Sequence, residues 1–185
     1  MILHRVYPGA PVVHPDDEGG PLHAPWRKQR GGRHDDPDRF AAFYASEAEG
    51  AAIGEALQIF RGQLLEPDDL IRASGRRLML ATIEATDLEL VDLDDPRRLT
   101  RLRERPSRIA TGDREVTQAF ARRMYTAGSA GLRWWSTLEA SWINVTLFMD
   151  RCRSALQVVD LRTVTLDDTE VAAACDTLGI RRRSR

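Results

Sequence analysis

"RFAAFYASEAEGAAIGEAL", Arg39 to Leu57, changes its period halfway along. The first half alternates. Phe40, Ala42 and Tyr44 fall on one face and Ala41, Phe43 and Ala45 on the other, which is the two-residue repeat of a strand. Beyond Ser46 the alanines recur three and four residues apart, so a helix is expected as far as about Phe60. Ser46 and Glu49 fit an S-x-x-E capping box, and Glu47 adds negative charge at the positive end of that helix. The fold question is whether the chain repeats this strand-to-helix step.

It does not. "ILHRVYP", Ile2–Pro8, reads as a short strand, followed from Gly9 to Gly32 by a long loop dense in Pro and Gly. After the first helix, "EPDDLIRASG" reads as a turn with a short helical piece. "RRLMLATIEA" and "DLELVDLDDP" read as strands, the second stopped by Asp-Asp-Pro. "RRLTRLRERPSRIATGD" is polar and reads as irregular. "REVTQAFARRMYTAG" is an amphipathic helix with Val116, Phe120, Met124 and Tyr125 inward. "AGLRWWST", "SWINVTLFM" and "LQVVDLRTVTL" are strands, and Asp167 with Glu170 resembles a second capping box opening a last helix to about Leu178. Strands follow strands too often for repeated βαβ units. The expected class is α+β, a mixed or antiparallel sheet with peripheral helices, in one domain spanning 1–185 with a frayed basic tail over 181–185.

Composition narrows the function. Hydrophobic residues make up 42% of the chain and charged residues 30%, enough apolar material for a packed core. The formal net charge of −1 gives no general attraction to nucleic acid or to an anionic membrane surface. No apolar run approaches the ~18 residues of a membrane span, and the N-terminus lacks a signal-peptide pattern, so a cytoplasmic protein is expected. Cys152 and Cys175 lie outside any C-x-x-C or zinc spacing, which suits two reduced, buried thiols. Lys28 is the single lysine, so an anion site would rely on arginine forks or backbone amides. No Gly-rich nucleotide motif, G-x-S-x-G or H-E-x-x-H occurs. His4, His14, His23 and His34 all fall in the N-terminal fifth, none at ligand spacing, and read as loop or surface histidines.

Three side chains around the opening stretch, and Ser136 after Trp134-Trp135, could carry chemistry, and each admits two readings. Arg33 follows Gly31-Gly32: a solvated arginine after a glycine turn, or an anion clamp approached closely by the backbone. Glu55 shares a helix face with Ala51, Ala52 and Ile59: an acid at the core's edge, or one aimed into a cleft. Tyr44 is core or a ligand platform, and Ser136 is a strand-end serine or a hydrogen-bonding hydroxyl.

Taken together, "HRVYP", "GGRHDDP", "FYASEAEGAAIGEAL", "LELVDLDDP", "VTQAFARRMYTAGSAGLRWWS" and "WINVTLFM", in that order, resemble the RES-domain family over about Leu3 to Leu166. "GGRHDDP" is similar to that family's G-G-R-[aromatic]-[polar]-x-P, with His34 where an aromatic is usual. "FYASEAEGAAIGEAL" is similar to its Y-L-A-[ED] strand leading into an alanine-rich helix with one internal Glu. The stretch around Ser136 lacks the family's usual small-residue tail, which leaves Thr117 as an alternative hydroxyl.

The resemblance implies a toxin of a bacterial toxin–antitoxin pair with an ADP-ribosyltransferase-like fold, small sheets flanking a cleft. It implies an enzyme that consumes NAD by phosphorolysis or hydrolysis, with inorganic phosphate as a possible co-substrate and no metal. Carried over, Glu55 and Arg33 would be catalytic, and Arg5, Tyr7, Arg33, Tyr44 and Ser136 would bind NAD. The partner implied is an Xre-like antitoxin covering the cleft, with the Gly9–Gly32 loop and its "WRKQRGG" edge as candidate contacts. Rival expectations are transfer of ADP-ribose to a protein and a non-catalytic interaction module of the same fold.

Overall fold

In the computed structural model, which describes residues 1–10 and 12–183, the elements run in order as follows. β1 (Ile2–Gly9) is followed by β2 (Ala42–Ser46), α1 (Glu49–Leu57), β3 (Leu64–Leu65), β4 (Arg77–Ala85) and β5 (Val91–Asp92). Then come α2 (Pro96–Leu102), α3 (Pro106–Ile109), α4 (Arg114–Thr126), β6 (Gly131–Trp135) and β7 (Ile143–Phe148). The chain finishes with α5 (Met149–Cys152), β8 (Leu156–Thr163), α6 (Thr169–Leu178) and β9 (Arg181–Arg182). Contacts divide these into two units: Met1–His23, Ala45–Glu84 and Gln157–Arg185 form the first, Ala24–Tyr44 and Ala85–Leu156 the second. The mixture of antiparallel and parallel strands with helices fits the mixed sheet with peripheral helices expected of the α+β class.

In the first unit the strand order is β2-β1-β4-β8. β1 and β4 are antiparallel across their whole length, from Ile2 opposite Glu84 to Gly9 opposite Arg77. α1 and α6 pack on one another through buried Ala51, Ala52, Ile53 and Leu57 on α1 and Val171, Ala174, Cys175 and Leu178 on α6. Arg162 ties their N-terminal ends together, 2.7 Å from Glu49 and 2.5 Å from Asp168.

Two expectations fail in this unit. Ser46 does not cap α1. It pairs with His4 in the β1–β2 ladder and is buried, so its backbone is strand, and Ala48 takes the cap position without a side-chain bond. The helix also tightens into a 3₁₀ turn over Gln58–Phe60. Asp168 rather than Asp167 precedes α6, its carboxylate accepting from the Thr165 N–H and hydroxyl. Of the basic tail, residues 181–183 are described. Arg181 and Arg182 form β9, parallel to β3, and Arg183 lies 3.1 Å from Glu66; residues 184 and 185 lie outside the described residues.

In the second unit the order is β5-β6-β7-β2. β6 is antiparallel to β7, with Gly131 opposite Leu147, and parallel to β5. Its core gathers Phe40, Leu93, Phe120, Leu132, Trp134 and Phe148, with Tyr44 packed at the edge. The stretch 97–113 is not irregular: α2 and α3 lie there. Each starts with a proline at its first position, and Asp95 caps α2 by accepting from the Arg97 N–H at 2.9 Å. Leu99 and Ile109 from these helices enter the core, and that burial is what makes two short polar helices stable. β5 is confined to two residues of the expected longer strand.

His34 is a core residue, not a surface one, with 2% of its surface exposed. Its Nδ1 lies 2.9 Å from Thr146 Oγ1, which accepts from Trp134 Nε1 at 3.1 Å. The indole can only donate, so the threonine proton is left for a neutral imidazole. Burial, and then the positive charge of Arg33 and Arg114, holds the His34 pKa well below its ordinary 6.5. Cys152 and Cys175 are buried free thiols, and burial pushes Cys152 up to about 11.

Two outcomes are expected. A Cβ at Gly131 would fall on the Thr146 carbonyl oxygen, backbone against backbone, so Gly131→Ala should cost ~1–3 kcal/mol and lower Tm by several degrees in a thermal melt. His34 stays neutral in the fold while the unfolded chain takes up its proton, so its contribution is complete above pH 6.5 and lost as pH falls below it. Urea midpoints should therefore drop between pH 7 and 5, by at most ~1.4 kcal/mol per pH unit from this group. His34→Phe should flatten that slope.

Candidate functional site

Within the second unit the Gly31–Asp36 turn is closed onto β2 by one phenol. Tyr44 donates its hydroxyl to Asp35 Oδ1 at 2.7 Å and accepts from the His34 N–H at 2.9 Å. The other Asp35 oxygen accepts from the Gly32 N–H at 2.6 Å. Burial, then the Asp35 charge and hydrogen bond, raises the Tyr44 pKa well above 10, so the residue remains a phenol. The two glycines before Arg33 are not equivalent. A Cβ at Gly31 meets nothing, whereas one at Gly32 would fall on the Asp35 carboxylate and 2.6 Å from the Tyr44 oxygen. Gly32 is there for space.

Arg33 is 7% exposed. Its Nη1 donates to Ile109 O at 3.0 Å and Thr111 O at 2.7 Å, and its Nη2 approaches Thr137 Oγ1 at 3.4 Å. The guanidinium carbon stands 5.1 Å from the centre of the Trp134 ring, within cation–π range. Its carbonyl accepts from the Thr117 hydroxyl at 2.5 Å, and Gln118 Nε2 donates to the Gly32 carbonyl at 2.9 Å. The solvated reading of Arg33 is therefore wrong. Ser136 is buried one residue after β6. Its N–H goes to Trp142 O at 2.7 Å, and its Oγ accepts from the Leu138 N–H at 3.0 Å. Of the two candidate hydroxyls, Thr117 gives its proton to the backbone of Arg33, while Ser136 serves Leu138 as acceptor.

The first unit holds Arg5, Tyr7 and Glu55. Glu55 is half-buried on α1, three and four residues beyond buried Ala52 and Ala51. Gln58 Nε2 donates to its carbonyl at 2.8 Å and approaches its Oε2 at 3.3 Å. Arg5 and Tyr7 alternate with His4 along β1. His4 Nδ1 faces Glu49 of α1 at 4.0 Å, so Arg5 and Tyr7 point to the opposite side of the strand. There Arg5 donates to Pro21 O at 3.0 Å, in the loop after β1, and burial pulls its pKa down to about 10. It stays cationic at neutral pH. Burial also raises the Tyr7 phenol.

Sequence reasoning named Arg33, Tyr44 and Ser136, and the structure puts all three around one turn and the strands that hold it. It missed Asp35, the group that joins Gly32 to Tyr44, and Trp134, the platform under Arg33. The available signal was an acid two residues beyond an arginine that itself follows two glycines. Among the described residues, no group of three or more His, Cys, Asp or Glu is arranged to hold a metal ion, and no helix is long and apolar enough to cross a membrane.

Comparison with known proteins adds three findings. No curated protein matches the chain significantly. Among solved structures, a chain of the M. tuberculosis MbcT–MbcA toxin–antitoxin complex superposes with a TM-score of 0.64 at 20% identity, over 96% of this chain and 88% of that one. At that identity the likeness speaks for the fold. The family described as the RES domain matches residues 3–169, nearly the full length and every element from β1 to the start of α6, and the chain belongs to the RES-domain family.

Proposed function

We propose that this chain is the toxin of a toxin–antitoxin pair, and that it binds NAD and cleaves its nicotinamide–ribose bond by phosphorolysis or hydrolysis. Membership of the RES-domain family supports this reading, and so does the fold it shares with a chain solved in a toxin–antitoxin complex. The observation that carries it is Glu55, one carboxylate held half-buried on an otherwise alanine-lined face of α1.

Breaking the nicotinamide–ribose bond leaves positive charge on the ribose, as in glycoside cleavage. The bonding pair departs with the nicotinamide, and phosphate or water supplies the oxygen that closes the ribose carbon. A carboxylate beside that carbon stabilises the charge as it develops and can hold a ribose hydroxyl. Glu55 takes that role. Arg33 takes the diphosphate or the incoming phosphate, with Arg5 and Tyr7 as further binding residues. Tyr44, un-ionised, offers its ring face or its hydroxyl, and Ser136 offers a hydroxyl to the nicotinamide amide. No step requires a metal. An Xre-like antitoxin that covers these residues would hold the toxin inactive, and NAD depletion would follow its release.

Purified protein should release nicotinamide from NAD, faster with inorganic phosphate if it is a phosphorylase. Glu55→Gln should lower that rate by ~10²–10³-fold with Tm unchanged. Wild-type turnover by the Glu55→Gln protein would remove Glu55 from the mechanism. Absence of both nicotinamide release and an NAD-dependent rise in Tm would replace the enzyme with an interaction module. ADP-ribose found on a protein by mass spectrometry, rather than free, would make it a transferase.

Gly32→Ala probes the other half of the reading. Its Cβ would displace Asp35 and the Tyr44 hydroxyl, so kcat/KM for NAD should fall by at least ~10-fold, a misplacement effect, in a continuous nicotinamide assay.

A further inference from the structure

Among the described residues, β8 ends the strand order of the first unit and leaves one long side unpaired. It is eight residues without proline or glycine, and its outward side chains Val159 and Leu161 are 49% and 46% exposed. Long, apolar edges of this kind are templates for another strand, and most proteins shorten, kink or cover them.

The backbone register of the free side can be read. The Val164 N–H donates to Leu78 O, and the Thr163 hydroxyl lies 3.4 Å from Met79 Sδ, so residue 164 pairs inward with β4. Alternation along a strand then turns the N–H and C=O groups of Gln157, Val159, Leu161 and Thr163 outward.

We propose that β8 is a self-association edge, on which a second copy of this chain adds its own β8 antiparallel about a two-fold axis at Leu161. That register places Leu161 opposite Leu161 and Val159 opposite Thr163, so every outward backbone group between Val159 and Thr163 meets a partner. It also sets Asp160 opposite Arg162 of the second copy, and Arg162 opposite its Asp160. Moving the axis to Asp160 would oppose two carboxylates, and moving it to Val159 would oppose Val158 and Asp160 with no ion pair. Two reciprocal ion pairs from one stretch laid against itself favour a second copy over an unrelated strand. Asp160 is exposed, and the Arg162 side chain, although bonded to Glu49 and Asp168, retains 31% exposure toward which an acid can approach. The contact is small, so a weak, concentration-dependent dimer is expected.

Sedimentation velocity of the full chain, up to near-millimolar concentration, tests this. The wild type should show a reversible monomer–dimer equilibrium. Asp160→Lys, which sets like charges opposite each other, and Leu161→Pro, which removes an outward N–H, should each weaken association at least tenfold with Tm unchanged. If Leu161→Pro unfolds the chain, Asp160→Lys, altering an exposed side chain, decides alone. A wild type that stays monomeric throughout, or a dimer indifferent to Asp160→Lys, overturns the proposal.

Discussion

The second unit depends on a buried carboxylate having its donors in place. Asp35 is 5% exposed and accepts from the Tyr44 hydroxyl and the Gly32 N–H. A buried carboxylate without such donors would be destabilising by several kcal/mol. This fixes three positions at once. Residue 44 must carry a hydroxyl at the end of a long rigid side chain, residue 32 must have no Cβ, and residue 35 must be an acceptor. Once the turn is closed, the carbonyl of Arg33 meets Thr117 and its guanidinium meets the carbonyls of Ile109 and Thr111. α3 and α4 are thus tied to the turn by polar bonds as well as by their apolar faces.

What the sequence revealed of the fold follows from where burial is one-sided. β1, β4, β6, β8 and α4 each bury one face more than the other, so their period shows. α2 and α3 stayed hidden because each buries a single large residue, Leu99 or Ile109, too few to set a period. Their prolines and the Asp95 cap were visible and were outweighed by the charge of the segment. The Ser46 cap was misplaced for a different reason. A serine before an alanine-rich run satisfies the local rule, but pairing with His4 and burial hold it in the strand. Tertiary pairing decided what local propensity could not.

The site was legible in residue types more than in arrangement. Arginine, tyrosine and glutamate stood out because each is unusual in its setting: after two glycines, on a strand face, among alanines. Asp35 did not stand out, because an acid in a loop is ordinary until burial makes it a buried ion. His34 was misread in the same way. Nothing in "GGRHDDP" says that its imidazole will sit under Trp134 with an edge-on ring contact of 5.2 Å. Alternation along β1 is legible, and it already separates Arg5 and Tyr7 from His4. That His4 faces α1 depends on which side of the strand the helix covers, and no local pattern reports it.

Arg33 brings the structural and chemical readings together. Both protons of its Nη1 are committed to carbonyls, which taken alone describes a structural pin. A pinned guanidinium is also the better clamp. A free arginine would surrender up to ~2 kcal/mol of side-chain entropy on gripping an anion, and Arg33 has already been ordered by the fold. Its contact with Thr137, at 3.4 Å, is long for a hydrogen bond and is one that an anionic oxygen would replace with little loss. Lysine could not substitute, since a single ammonium cannot hold two backbone carbonyls in the plane of a fork and present a second nitrogen to an anion. In the NAD reading, the turn that buries Asp35 is therefore also what prepares the cation for the diphosphate.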